Sequence, residues 1–245
     1  ATVKKVLGDA PVLFLNGACA NVNPAWIEQR FDEAARVGSI VGAEAARRLQ
    51  ELRPLGSRHR AWNIRWSEMT GKPVTSGELI AGPKITVASD LVEAPLRVLE
   101  PPQTYEAQLR DVMRQHDAAP PQDVDGRRAL MERMTMLQGT AGVAAQLRPG
   151  ERHALRPEIQ AIGFGGGVAV LGLPGEFFVE TAQAIRAAAG LGHLLVSCYT
   201  NHHVMYIVPK DAWAQGGYEP GVSVLDETAE ERFRVGAIEL LRRLA

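Results

Sequence analysis

The sequence predicts an α/β or α+β fold in which layers of mixed β-sheet are flanked by helices. Short apolar runs bounded by Gly and Pro alternate with longer segments whose apolar residues recur at helical spacing. The second half of the chain also shows a β-turn-β-helix-β order, and no repeat or low-complexity tract interrupts it. We expect one domain over residues 1–245, because a chain of this length can bury a sizeable core.

The first half is predicted to begin with a buried strand, "PVLFLNG", that feeds a loop. A helix follows from Phe31 to Leu52, and Pro54 is expected to stop it. Two segments with alternating or β-branched residues predict strands, "HRAWNIRWSEM" and "KITVASDLVEAPLRVLE". Two more segments predict helices, "TYEAQLRDVMRQHDA" and "DVDGRRALMERMTMLQGTAGVAAQL".

In the second half, "PEIQAIGFGGGVAVLGLPGEFF" predicts two strands joined by a glycine cluster. A phosphate-binding loop is excluded there, because such a loop leads into a helix and here a strand follows. A helix is predicted from about Phe177 to Ala189, and "HLLVSCY" is predicted to be the next strand. The last helix, "DETAEERFRVGAIELLRRL", has acidic residues in its first turn and arginines in its last, as the helix dipole favours.

Composition narrows the possible partners. The formal net charge is −1, and Lys and Arg are scattered along the chain, so nucleic acid is not expected to bind. The apolar runs are too short for a membrane-spanning helix. A small molecule or another protein is the expected partner. The two cysteines, Cys19 and Cys198, define no disulfide framework but leave one bridge possible.

Polar residues flanked by Gly or Pro follow three apolar strands, where ligands tend to gather in α/β sheets. Glu176, after "LGLPG", is by itself best explained as a glutamate that opens a helix. The adjacent His202 and His203 would point to opposite faces of an extended segment, so both could not chelate one ion. One of the two could be a ligand or a proton shuttle, but ordinary polar loop histidines are the better explanation. Tyr206 could serve as a metal ligand, as a donor to an oxyanion, or only as packing, and residue chemistry leaves these open.

Several motifs together resemble the neutral/alkaline non-lysosomal ceramidase family. They are, in order, "FLNGACANVNP", "FDEAARVGSIVGAEAARRL", "GLPGEFFVETAQAIR", "YTNHHVMYIVPKDAWAQGGYEP" and the last charged helix. The resemblance spans nearly the whole chain and corresponds to the C-terminal half of the family's catalytic domain. It implies a zinc-dependent amidohydrolase that uses zinc-activated water on the N-acyl amide of ceramide or a related lipid amide. The family is often secreted or found at the cell surface, which also implies contact with a membrane surface.

The resemblance implies roles for individual residues. Glu176 and Tyr206 would be zinc ligands, and Tyr218 would donate a hydrogen bond to the amide carbonyl as it becomes an oxyanion. Asn23 would contribute to catalysis, while Asn21 and Asn201 would contact the substrate. The other two zinc ligands would be histidines of the domain's N-terminal half, which would precede Ala1. The chain alone is therefore expected to bind zinc weakly or not at all and to be inactive without that half.

Three positions depart from the family pattern. Ceramidases have a serine where this chain has Asn23 and an aspartate where it has Asn21. An amide side chain is neither a nucleophile nor a general base, so ceramide specificity does not follow from the resemblance. Met205 stands where a glycine is common, which predicts a narrower or more apolar pocket. The alternatives are a hydrolase of another amide or ester, and a non-catalytic homologue that serves as a binding module.

Overall fold

We describe the protein from a computed structural model that covers residues 1–8, 11–24, 30–56, 84–146 and 153–244. Contacts divide the chain into two compact units. The first unit comprises Ala1–Phe14 and Asn23–Pro83, and the second comprises Leu15–Val22 and Lys84–Ala245. The single domain expected over residues 1–245 stays a prediction.

The described residues of the first unit include two helices, α1 (Thr2–Leu7) and α2 (Phe31–Gly56). They pack closely, because a Cβ atom on Gly42 of α2 would lie 2.9 Å from the Cβ atom of Thr2. The predicted helix is confirmed from Phe31 and extends to Gly56, past the expected stop at Pro54. Pairs of Glu and Arg three or four residues apart line the exposed side of α2, as in Glu44 with Arg47.

The strand predicted for "PVLFLNG" is wrong. Residues 11–17 form no strand, and Leu13 and Phe14 are 83% and 76% exposed. A strand needs a ladder of backbone hydrogen bonds, whereas the one backbone bond that this segment makes to another described segment joins the Cys198 amide to the Asn16 carbonyl at 2.7 Å. The strand predicted for "HRAWNIRWSEM" lies outside the described residues.

The second unit contains a four-stranded mixed sheet of order β1-β4-β5-β7. Two smaller pairs accompany it, β2 with β3 and β6 with β8. The strands are β1 (Thr86–Leu91), β2 (Ala94–Pro95), β3 (Ala154–Leu155), β4 (Glu158–Gly163), β5 (Val168–Gly172), β6 (Glu176–Phe177), β7 (His193–Ser197) and β8 (Tyr206–Ile207). The predicted β4–β5 hairpin is confirmed, and Gly165, Gly166 and Gly167 adopt the left-handed conformations that its turn requires.

Helices flank this sheet, so the predicted mixed α/β architecture is confirmed. They are α3 (Pro102–Ala118), α4 (Val124–Ala144), α5 (Val179–Ala189), α6 (Lys210–Gln215), α7 (Tyr218–Val222) and α8 (Ala229–Arg242). The segment that contains β6 and α5 links β5 to β7, which run parallel. No helix among the described residues is long and apolar enough to cross a membrane.

The core of the second unit lies between the sheet and helices α5 and α8. Every second residue of β4 faces it, including Ile159 and Ala161, because side chains alternate along a strand. The rings of Phe177 and Phe233 meet edge to face with centroids 5.4 Å apart. Phe177 immediately follows Glu176, so this buried aromatic pair anchors β6 at the point where the chain emerges from the core.

A buried carboxylate joins α5 to α8. The hydroxyl of Thr181 donates a 2.8 Å hydrogen bond to Oε1 of Glu230, whose residue is only 8% exposed. We expect Thr181→Val to lower the free energy of unfolding by about 2 kcal/mol. Valine has nearly the same shape as threonine but no hydroxyl, so the Glu230 carboxylate stays buried and loses one hydrogen-bond donor. Urea unfolding measures this change. Thr135→Val on α4, an exposed threonine bonded only to its own helix, should change stability by less than about 0.5 kcal/mol.

Candidate functional site

The predicted metal ligands Glu176 and Tyr206 are neighbours across two short parallel strands. The register of β6 and β8 pairs Glu176 with Tyr206 and Phe177 with Ile207. Phe177 and Ile207 are fully buried, so the alternation along each strand turns Glu176 and Tyr206 to the opposite, more open face. The pairing brings together two side chains that are thirty positions apart in the sequence.

The glycine before Glu176 permits this close pairing. A Cβ atom on Gly175 would lie 2.4 Å from Cδ1 of Ile207 and 2.8 Å from the carbonyl oxygen of Met205. The Glu176 amide donates to that same Met205 carbonyl at 2.9 Å. Any larger residue at position 175 would therefore push β6 away from β8.

The loop between β7 and β8, residues 199–205, wraps around the "LPGE" segment. Its amides donate to the carbonyls of Leu173, Pro174 and Gly175. Three of its residues that are not glycine have positive φ angles: Tyr199 (56°), Asn201 (64°) and Met205 (64°). This conformation costs on the order of 1 kcal/mol each at Tyr199 and Met205 and less at Asn201, and such strain concentrates at functional sites. The φ of Met205 gives a physical reason why glycine suits this position.

The Glu176 carboxylate lies among an imidazole and two phenols. Nε2 of His203 is 3.3 Å from Oε1 of Glu176. The Glu176 carboxylate also interacts with the phenols of Tyr199 and Tyr206. The side chain of Glu176 is 18% exposed and that of His203 is 49% exposed, so the cluster opens to solvent on the histidine side.

The phenols of this cluster are held in their neutral form. Burial is the largest cause that raises the pKa of Tyr199, Tyr206 and Tyr218, and the negative charge of Glu176 adds to it in each case. The ring of Tyr218 meets that of Tyr206 edge to face with centroids 5.9 Å apart. Because a neutral phenol can donate a hydrogen bond, Tyr218 has the protonation state that its predicted role requires.

Both cysteines are free thiols. Sγ of Cys19 lies 3.6 Å from the Tyr199 hydroxyl and accepts a 3.5 Å hydrogen bond from Asn16. Cys198 is buried, and desolvation raises the pKa of its thiol to about 11. Cys198 is therefore an unreactive core residue, as free buried cysteines generally are, whereas Cys19 borders the cluster through Tyr199.

Asn21 is bound to the N-terminus of α5. Its Oδ1 accepts from the Val179 amide at 3.0 Å, and its Nδ2 donates to Oε2 of Glu180 at 2.8 Å. One of the free amides at the start of α5 is thereby satisfied by a residue far away in sequence. These bonds give Asn21 a structural role, and its contact with a substrate stays a prediction.

We expect Asn21→Asp to lower the free energy of unfolding by about 1 kcal/mol. The new carboxylate could still accept from Val179, but it would place a second negative charge beside Glu180. Chemical denaturation at neutral pH measures the loss. The double variant Asn21→Asp with Glu180→Gln should recover the lost stability. The glutamine amide can donate a hydrogen bond to the new aspartate, whereas the carboxylate of Glu180 repels it. An Asn21→Asp variant as stable as the wild type would mean that the bond to Glu180 contributes nothing.

The remaining predicted residues occupy different settings. Asn201, in the strained loop, donates from Nδ2 to Oε2 of Glu158 at 3.1 Å. Asn23 is exposed and belongs to the first compact unit. The roles of both in substrate contact or catalysis stay predictions. Tyr218 begins α7 and is 40% exposed.

Sequence reasoning left open that one of the two adjacent histidines has a functional role, but it did not single out His203. The prediction that two adjacent histidines cannot share one ion assumed an extended segment, but residues 199–205 form a turning loop. His203 reaches Glu176, while the side chain of His202 makes no hydrogen bond or ion pair with any described residue. The asparagine of "YTN" could have indicated a turn in place of an extended segment, because asparagine is the residue other than glycine that most readily adopts the left-handed conformation of turns.

The cluster offers a mixed set of metal donors. Among the described residues, no three His, Cys, Asp or Glu side chains are grouped so that they could hold a metal ion. Glu176 and His203 provide two such groups, and the phenol of Tyr206 is a further oxygen donor. Carboxylate, imidazole and phenol donors fit a zinc ion, which accepts nitrogen and oxygen ligands. Chemically, the site combines one carboxylate, one imidazole and neutral phenols that can donate hydrogen bonds.

No family model and no curated protein matches the sequence. Two solved structures are similar to the chain. A neutral ceramidase from Pseudomonas aeruginosa has a TM-score of 0.48 and 18% identity over 94% of this chain and 37% of its own. A ceramidase complexed with C2 has a TM-score of 0.33 and 22% identity over 39% of this chain and 18% of its own. The chain thus spans well under half the length of either protein, and likenesses this distant establish neither family nor activity.

Proposed function

We propose that this chain forms the C-terminal half of a zinc-dependent amidohydrolase that cleaves the N-acyl amide of ceramide or a related lipid amide. The observation that carries the proposal is the pairing of Glu176 with Tyr206 across β6 and β8, with the ring of Tyr218 against that of Tyr206. The three residues singled out by the ceramidase resemblance are thus neighbours, although Glu176 lies in a different sequence motif from Tyr206 and Tyr218.

Each residue has a distinct role in the proposed reaction. Glu176 and Tyr206 would hold the zinc ion through their oxygen atoms. Zinc at this place would supply a water of lowered pKa and polarise the amide carbonyl. Tyr218, neutral and partly exposed, would donate its hydroxyl proton in a hydrogen bond to the carbonyl oxygen as negative charge develops there. Asn201 would contact the substrate.

Two other functions compete with this one. The same groups would serve a hydrolase of another amide or ester, because an ester carbonyl makes the same demands on Tyr218. In a non-catalytic homologue, the exposed cluster would instead be a binding site for a small molecule.

The test measures zinc content and fatty-acid release from N-acylsphingosine. Both are measured on the 245-residue chain and on the chain joined to the N-terminal half that the resemblance implies. Stoichiometric zinc with acyl release from the joined form supports the proposal. Zinc without acyl release would favour a different substrate, and absence of zinc from the joined form would favour the binding module.

A further inference from the structure

Two buried hydrogen-bond donors without an acceptor lie together in the second unit, on Arg97 and Trp213. Among the described residues, Nε of Arg97 and Nε1 of Trp213 are the buried side-chain nitrogen or oxygen atoms that have no hydrogen-bond partner. The guanidinium lies over the indole, with Cζ of Arg97 5.9 Å from the centroid of the Trp213 ring. Because buried polar atoms in proteins are nearly always paired, two orphan donors at one place indicate a missing acceptor.

The charge of Arg97 also lacks a counter-charge. No ion pair joins its half-buried guanidinium to any residue that the structure describes. Burial lowers the pKa of Arg97, as expected of a cation with no carboxylate beside it. The two Nη atoms make no hydrogen bond with a described residue and are not among the buried atoms, so the outer edge of the guanidinium faces solvent.

An oxyanion is the acceptor that fits an arginine in this setting. The planar fork of a guanidinium binds the oxygens of a carboxylate or a phosphate through two parallel hydrogen bonds. Trp213 holds the plane of this fork, so little conformational freedom is lost when an anion binds. A water molecule would accept from the same N–H groups but would leave the half-buried positive charge unbalanced.

Arg97 is anchored next to the candidate site. Its amide donates to the Val224 carbonyl at 3.0 Å, and the hydroxyl of Ser223 donates to the carbonyl of Tyr206 at 2.8 Å. Trp213 and Tyr206 also pack against the same small group of buried residues, which are Ala20, Phe178 and Val208. Two independent sets of contacts therefore place Arg97 close to Tyr206.

Resting on the proposed function, we propose that Arg97 binds a carboxylate or phosphate group of the substrate. The amide that is cleaved would then belong to an anionic N-acyl compound, of which an N-acyl amino acid is the simplest kind. Ceramide is uncharged and offers no group that would balance Arg97. The substrate class would thus differ from ceramide at the end remote from the acyl chain.

A matched pair of ligands tests the inference on the 245-residue chain, without any need for activity. N-hexanoylglycine and N-hexanoylethanolamine share the acyl amide, but the first ends in a carboxylate and the second in a neutral hydroxyl. We expect isothermal titration to show at least about tenfold tighter binding of N-hexanoylglycine, because only its carboxylate forms charge-assisted hydrogen bonds with Arg97.

Three variants identify the group responsible. Arg97→Gln should abolish the preference for N-hexanoylglycine, and Arg97→Lys, which keeps the charge but loses the fork, should retain part of it. Arg114→Gln is the matched control, because Arg114 is an exposed arginine of α3 that is paired with Asp111. It should leave the preference unchanged. Urea midpoints of all three variants verify that they fold.

The same two compounds are then offered as substrates to the chain joined to the N-terminal half. Hexanoate release from N-hexanoylglycine should have a kcat/KM about tenfold higher than release from N-hexanoylethanolamine. Arg97→Gln should abolish this difference through KM and leave kcat unchanged, because Arg97 would bind the substrate at a distance from the bond that breaks.

Three results would overturn the inference. If the chain binds both compounds equally and Arg97→Gln changes neither affinity, Arg97 binds no anion. If hexanoate or inorganic phosphate binds as tightly as N-hexanoylglycine, Arg97 takes a free anion and not a substrate. If the preference disappears when the N-terminal half is joined, that half supplies the partner of Arg97.

The proposed function is judged separately. Release of hexanoate by the joined form without any preference between the two compounds leaves the hydrolase standing and refutes the role of Arg97. A joined form that binds N-hexanoylglycine through Arg97 but cleaves neither compound supports the anion site and counts against the hydrolase alone.

Discussion

Replacing Tyr218 with phenylalanine is expected to lower kcat for amide hydrolysis by roughly 10²–10³-fold, since this is the usual effect of removing one oxyanion donor. The change deletes only the hydroxyl, so the ring remains to pack against Tyr206. Zinc affinity and the urea midpoint should therefore stay at wild-type values. The measurement is steady-state fatty-acid release by whichever form of the protein is active.

Tyr105→Phe on α3 is the matched control for this variant. The Tyr105 hydroxyl accepts a bond from the Glu100 amide and is remote in sequence from the Glu176 cluster. The Tyr105→Phe substitution should leave kcat unchanged. If Tyr218→Phe retains wild-type kcat, the hydroxyl does not stabilise the oxyanion, and another donor must be sought.

Gly175→Ala is expected to have the largest effect on stability, a loss of about 3 kcal/mol. Its new methyl group would overlap Cδ1 of Ile207 and the carbonyl oxygen of Met205, and a fully buried side chain and a hydrogen-bonded carbonyl have little room to move. Because the overlap separates β6 from β8, metal affinity should fall with stability. Urea unfolding and zinc titration of the same variant measure both effects.

Gly139→Ala provides the contrast. Gly139 lies in the exposed part of α4 with no atom within 4 Å of a built Cβ, so alanine there should stabilise the protein by up to about 1 kcal/mol. If Gly175→Ala has the same free energy of unfolding as the wild type, β6 and β8 can separate without cost. The pairing of the two strands would then not define the site.

Long, periodic elements could be predicted from the sequence. Helices α3, α4 and α8 and the β4–β5 hairpin are long enough for the periodic spacing of their apolar residues to recur several times, which makes each element predictable. The failed strand at "PVLFLNG" shows the limit of this method. An apolar run indicates burial only if a partner strand is available, and Leu13 and Phe14 have none among the described residues.

The centre of the candidate site was harder to predict. Strands β6 and β8 have two residues each, too few to show any periodicity, and their pairing depends on the tight approach at Gly175. Residue chemistry alone favoured a structural role for Glu176, and only the family resemblance selected it together with Tyr206. His203 could not be distinguished from His202, because the left-handed backbone at Asn201 and Met205 departs from the extended chain on which the alternation of side chains was argued.

The register between β6 and β8 makes the candidate site tolerant of change in chain length. Glu176 meets Tyr206 through local strand pairing, so the number of residues between them does not set their distance. Homologous chains could lengthen or shorten the exposed turn near Gly190 and keep the same pair. One residue inserted next to Tyr206 would instead turn its phenol toward the core, because facing alternates at every position of a strand. A change of length far from the pair thus leaves the two side chains together, whereas an insertion beside either one separates them.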